Sequence, residues 1–221
     1  CKSLASIEIP SNVAIIGVYC FKNCSSLVQI KLPEKLTEIR EAAFYATAIP
    51  SIEIPEGVTS IGPYAFKNCT ALKDIVLPDT LTSVGESSFY GCVALNSITL
   101  PKNVTSIEGY AFKNCTGLKE IGLPDSLKSI GDSAFYGCTS LKKIDIPKNV
   151  SAVGDYAFAR CSNLHEVTFN GNAPTIYANS FSKVTATIIY PTNRTGWWIK
   201  GNKYGGTLTW EGRVVDINPG R

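Results

Sequence analysis

At 221 residues, 44% hydrophobic and 18% charged, the chain has enough apolar sequence to bury a core and is not disordered by composition. Its net charge of +3 is too small and too dispersed for a nucleic-acid or membrane-surface protein. No apolar run approaches the roughly 18 residues that a membrane-spanning helix needs.

The chain begins at Cys1 and contains no Met, so it reads as a piece of a longer precursor. From there the sequence repeats. Cys1 and Cys24 are 23 residues apart, and Cys69, Cys92, Cys115, Cys138 and Cys161 keep the same interval. A fixed period of this size marks a repeat array rather than a disulfide framework. Aligned on it, the coil reads C-x-x-L-x-x-I-x-[IL]-P-x-x-[VL]-x-x-[IV]-G-x-x-A-F-x-x. Phe21, Phe44, Phe66, Phe89, Phe112, Phe135, Phe158 and Phe181 mark eight coils over residues 1–183. The second is one residue short and lacks its Cys, around Ala46-Thr47-Ala48.

Each coil opens with an extended segment such as Leu141-Lys142-Lys143-Ile144-Asp145-Ile146. Stacked copies predict a parallel sheet with strands about 4.8 Å apart. Pro ends the strand because it has no N–H to donate. A second short strand follows, with β-branched Thr59, Thr82 and Thr105 in one column. A brief helical turn is expected around Phe. Glu41, Pro63, Glu86, Asp132 and Asp155 suit its start, and Asn23, Asn68, Gly91, Asn114 and Gly137 suit a left-handed end.

Two spellings alternate here, as in GYAFKNC at residues 109–115 and DSAFYGC at 132–138. The column after Phe reads Lys22, Tyr45, Lys67, Tyr90, Lys113, Tyr136. Two residues before Phe it reads Tyr19, Ala42, Tyr64, Ser87, Tyr110, Ser133, Tyr156. The resulting checkerboard gives each ring a small neighbour and a Lys stem to cover it. The unit is thus a pair of coils, about 46 residues. The cysteine column predicts a ladder of buried free thiols, with Cys20 packed in the small column before Phe.

The [AS]-F-x-x-C-x-x-L-x-x-I-x-[IL]-P pattern resembles the leucine-rich repeats of BspA-like bacterial surface proteins. The resemblance implies a leucine-rich repeat solenoid of the α/β repeat class: a parallel β-sheet on the concave face, and short second strands and helical turns on the other side. It also implies a bacterial extracellular or cell-surface location and a role in adhesion. Beyond Phe181 the period stops. Residues 184–211, with Trp197, Trp198 and Trp210, are expected to cap the array, and residues 212–221 read as a linker or tail.

Catalytic chemistry finds little support. His165 is the sole histidine, and no nucleophile elbow, phosphate loop or zinc spacing occurs. Neither cofactor, metal nor nucleic acid is expected, and the fragment holds no segment to insert in a membrane. Partner binding falls on the exposed strand columns: Lys73, Asp74, Lys119, Glu120, Lys142, Lys143, His165 and Glu166. Mixed charge without aromatics suits a protein partner, such as host matrix or another cell surface, met by a monomeric module. Two alternatives stay open: a passive spacer carrying another domain, and a carbohydrate binder using the Trp-rich cap.

Overall fold

The computed structural model describes residues 1–190 in full, together with the backbone of strands Thr207–Trp210 and Arg213–Val214. Eight coils stack into one continuous solenoid. The second strands run without a break as an eight-stranded parallel sheet, from Ile15–Ile16 through Glu38–Ile39, Ser60–Ile61, Ser83–Val84, Ser106–Ile107, Ser129–Ile130 and Ala152–Val153 to Thr175–Ile176. The register advances one coil at a time, as Ser106 opposite Ser129 and Ile107 opposite Ile130. The shortened coil is absorbed between Thr47 and Ile49, both buried, and Glu38 still meets Ser60 across it.

The face strands depart from the expected continuous sheet. Ser6–Glu8 pairs Gln29–Lys31, Ser51–Glu53 pairs Asp74–Val76, and Ser97–Thr99 pairs Glu120–Gly122. Lys143–Ile146 then leads a run through Glu166–Phe169, Thr185–Ile189, Thr207–Trp210 and Arg213–Val214. Pro50 explains the first gap. It stands where Lys73, Lys119 and His165 donate an amide to the preceding coil, and proline has no amide to give. At the second gap the corresponding bond, Asn96 N–H to Lys73 O, lengthens to 3.4 Å.

The expected helical turns do not form. In the first seven turns two residues are left-handed, one two places before Phe and one two places after, as in Tyr64 (φ 58°) and Asn68 (φ 60°), and the eighth keeps only the second, Lys183. Every second amide then leaves the coil: Tyr64 donates to Glu86 O, Phe66 to Ser88 O and Asn68 to Tyr90 O, at 2.7–2.9 Å. The amides between close tight turns, as Lys67 N–H to Tyr64 O at 3.0 Å. Space forbids the alternative. Successive Phe rings stack with centroids 5.1–5.5 Å apart, whereas a helix with its side chains is about 10 Å across.

This turn also explains the alternating Asn and Gly. A Cβ built on Gly91 would stand 2.5 Å from Asn68 Oδ1, and one on Gly137 would stand 2.6 Å from Asn114 Oδ1. The Asn amide of one coil reaches toward the next coil's backbone and crowds that place, which glycine leaves open at Gly91 and Gly137, while Ala46 follows Asn23 in the same column. Both residues answer the same left-handed φ, 59–60° at the asparagines and 72–73° at the glycines, and the contact adds a reason for them to alternate.

The core is a set of columns. Leu72, Leu95, Leu118 and Leu141 are fully buried, as are Phe89, Phe112, Phe135 and Phe158. The thiols of Cys69, Cys92, Cys115, Cys138 and Cys161 each donate to a Phe carbonyl of the preceding coil at 3.0–3.1 Å. Thr47 fills the missing place in the column, with Oγ1 3.3 Å from Cys69 Sγ. No thiol is bridged, and six are buried. Cys20 differs from its expected core position: it is exposed, as is Cys1, because no described coil precedes it. On the return side, Ser126 Oγ donates to Val104 O and Asn149 to Asp125 O, so side chains also tie coil to coil.

Burial pushes the Cys69 thiol up to about 11 and the Cys115 thiol up to about 12, and raises Cys92 and Cys138 as well. The folded protein therefore keeps protons that the unfolded chain releases from about pH 9. Their stabilising contribution is complete below that pH and is lost as pH rises through the folded values. Each such thiol should remove about 1.4 kcal/mol of stability per pH unit within the window. Urea melts at pH 8, 9 and 10 should show a steepening loss, which Cys115→Ala makes shallower. Iodoacetamide at pH 8 should label Cys1 and Cys20 in the folded protein, and all eight thiols only in denaturant.

Ser88 occupies the small column before Phe, is fully buried, and its Oγ has no hydrogen-bond partner. An unsatisfied buried hydroxyl costs roughly 1–3 kcal/mol. Ser88→Ala should accordingly melt at or above the wild-type midpoint. Ser180→Ala should melt below it, since Ser180 Oγ donates to Gly154 O at 2.7 Å.

Candidate interaction site

In each face strand the middle residue points inward and its neighbours point out, as in the exposed–buried–exposed pattern of Ser97–Thr99. Three outward columns result. Two of them contain the sequence-predicted residues. The third, Val76, Thr99, Gly122 and Asp145, escaped sequence reading because its members share no chemistry.

A depression of about 1080 Å³ opens on this face over coils five to eight. It gathers five of the eight predicted residues: Lys119, Glu120, Lys142, Lys143 and His165. Lys73 and Asp74 lie on coil four outside it, exposed on the same face. Glu166 is not part of its lining, but it receives Lys143 Nζ at 2.9 and 3.0 Å. Lys143 is thereby engaged, whereas Lys119 and Lys142 form no ion pair among the described residues.

Gly122 forms part of the lining. A Cβ there would come within 3.0 Å of Thr99 Cγ2, so the position is open because it carries no side chain. The signal was present in the sequence: glycine weakens a strand interior and often marks a close approach by another molecule. Asp145, Ser140 and Asn163 complete the polar rim. Asn163 is held by its Nδ2, which donates to Thr139 O at 2.6 Å, and its own carbonyl lies 3.0 Å from His165 Nδ1.

The arrangement presents polar and charged side chains to solvent. His165 is partnered by a backbone carbonyl, and the thiols of Cys92, Cys115 and Cys138 lie in the core. Among the described residues no three His, Cys, Asp or Glu side chains cluster as metal ligands, and no helix is long and apolar enough to cross a membrane. Trp197 and Trp198, and the side chain of Trp210, lie outside the described residues. So do most of the expected cap and tail. Within them, Thr185–Ile189 extends the face sheet, with Ala186 and Ile188 buried.

Comparison with solved structures finds bacterial leucine-rich repeat proteins. A leucine-rich repeat protein from Bacteroides ovatus is 29% identical over 87% of this chain, with a TM-score of 0.58. A leucine rich cell surface protein from Faecalibacterium prausnitzii is 30% identical over 88%, with a TM-score of 0.54. A leucine-rich repeat protein from Eubacterium ventriosum is 31% identical over 71%, with a TM-score of 0.66. The chain spans less than two thirds of each, covering 64%, 62% and 42% of their lengths. No curated protein matches the sequence. The family model for the BspA type leucine rich repeat region matches residues 1–101 and 82–195, in six copies. With its parallel solenoid and its period of 23 residues, the chain belongs to the BspA-type leucine-rich repeat family.

Proposed function

We propose that the chain is a non-catalytic, extracellular interaction module of a bacterial surface protein, binding a protein partner on its face strands. Residues 1–183 carry the surface, and residues 184–211 close the array. The observation that carries the reading is the depression around Gly122, where Lys119 and Lys142 stand without ion-pair partners among the described residues. Unpaired surface cations give up little on meeting a carboxylate, and they steer an oppositely charged partner. The cell-surface relative from Faecalibacterium prausnitzii supports the location. Adhesion to host matrix or to another cell would be one use of such a module.

The test is binding of the purified monomer to a panel of immobilised matrix proteins at low and high salt. Binding should fall several-fold as screening increases. The Lys119→Ala, Lys142→Ala double variant should weaken it about fivefold or more. Gly122→Leu should block it without changing charge, and Lys73→Ala should do less. Salt-independent binding, equal in all variants, would move the site off this face. Absence of binding to every panel member would favour the passive spacer.

A further inference from the structure

A second surface runs along the turns, and its chemistry is regular where the face strands are not. Lys22 Nζ lies 4.6 Å from the Tyr19 ring centroid and 5.3 Å from that of Tyr45. Lys67 sits likewise over Tyr64 and Tyr90, and Lys113 over Tyr110 and Tyr136. The Tyr19 hydroxyl donates to Glu41 at 2.7 Å, and that of Tyr64 to Glu86 at 3.4 Å. Each lysine is thus held between two rings, and two of the acids are tied to the same rings. Sign alternates coil by coil: Lys22, Glu41, Lys67, Glu86, Lys113, Asp132. None of these six is ion-paired to another side chain among the described residues. In coil seven Arg160 extends the series, 5.7 Å from the Tyr136 ring; Asp132 Oδ1 accepts the Asp155 amide at 2.7 Å, and the Asp155 carboxylate accepts from Asn179 in the same way. Tyr19, Tyr110 and Tyr156 stay 48%, 38% and 41% exposed.

The spacing of this strip selects its partner. The Phe rings beneath it step 5.1–5.5 Å from coil to coil. An α-helix rises about 5.4 Å per turn, and about 10.5 Å per seven residues. A helix laid along the solenoid axis therefore offers about one turn to each coil, its facing side drifting by only about 20° per heptad. A polyproline helix, at about 9.3 Å per turn, falls short of two coils and drifts along the array. The described residues contain no helix that could fill the strip.

We propose that the Tyr–Lys flank docks an α-helical segment of a partner protein, acidic opposite Lys22, Lys67 and Lys113 and basic opposite Glu41, Glu86 and Asp132. The tyrosine rings supply apolar contact between the charges, and cation–π contacts hold the lysines before the partner arrives. The site is separate from the depression on the face strands, so either can fail without the other.

The probe is a dye-labelled peptide of about 28 residues, four heptads long, with Glu first and Lys fourth in each heptad and Ala or Gln elsewhere. Its anisotropy should rise on titration with the full chain. An isomer of the same composition, with Glu and Lys segregated into opposite halves, should bind at least about tenfold more weakly. Lys67→Glu with Lys113→Glu should weaken the alternating peptide by a similar factor. Lys67→Gln with Lys113→Gln serves if the reversal fails to fold. Lys119→Ala with Lys142→Ala should leave this binding unchanged. Equal binding of the two isomers, undiminished binding of a peptide broken by central prolines, or no binding of the alternating peptide would each overturn the proposal.

Discussion

Every second amide of a turn reaches across to a carbonyl of the next coil, at 2.7–3.0 Å, and this bond fixes how far apart neighbouring coils stand. The consequences spread inward and outward. Inward, Phe rings must stack nearly parallel, with interplanar angles of 1–15°, because the step admits no other packing of one ring per coil. Five Phe carbonyls, from Phe44 to Phe135, then serve two donors each. Phe89 O accepts the amide of Cys92 in its own coil and the thiol of Cys115 in the next. A cysteine suits that place because it is a small hydrophobe that still carries a weak donor. Outward, the same step excludes a helix from each turn and obliges large side chains to alternate with small ones.

Much of this was legible in the sequence because columns are what a repeat displays. The period, the eight coils, the Phe, Leu and Cys core and the Tyr–Lys checkerboard are all one-dimensional facts that stacking turns into contacts. The helical turn was misread for a definite reason. Acidic residues before Phe and Asn or Gly after it are what a short helix would show, but they are also what a turn with two left-handed residues tolerates. Sequence within one coil cannot separate these; the distance between coils can. The gap after Gln29–Lys31 was legible at Pro50, whose missing amide leaves the preceding coil without a donor. The face site was half legible. Charged residues such as Lys119 and Lys142 announce an exposed column, but Gly122 matters through what it lacks.

The pairing of coils has the same origin. Asn68 lies close beneath Gly91 and Asn114 beneath Gly137, and Lys67 meets rings in its own coil and the next. Lys102 bonds back to Asp79, and Lys148 to Asp125, on another side of the same coils. A single coil copied alone would place Asn over Asn, Tyr over Tyr and Lys over Lys. A pair of coils carries both halves of every fit and can be stacked without conflict.

This coupling also sorts the surface by what it can do. On the turns, each residue is constrained by its neighbours above and below, so the flank repeats with a two-coil period and suits a partner that repeats as well. On the face strands the outward column reads Lys73, Asn96, Lys119, Lys142, His165, and no member is the reciprocal of the next. The backbone there is held by amides and by the buried Ile75, Ile98, Ile144 and Val167, leaving the outward side chains free of the stacking rules. Coil against coil, the repeat changes little where it packs, with Thr47 and Ser88 among the few exceptions, and varies without a period on that face. A partner with no internal symmetry can be distinguished only by a surface that has none, which is why the irregular face, rather than the more richly aromatic flank, is the natural seat of specificity.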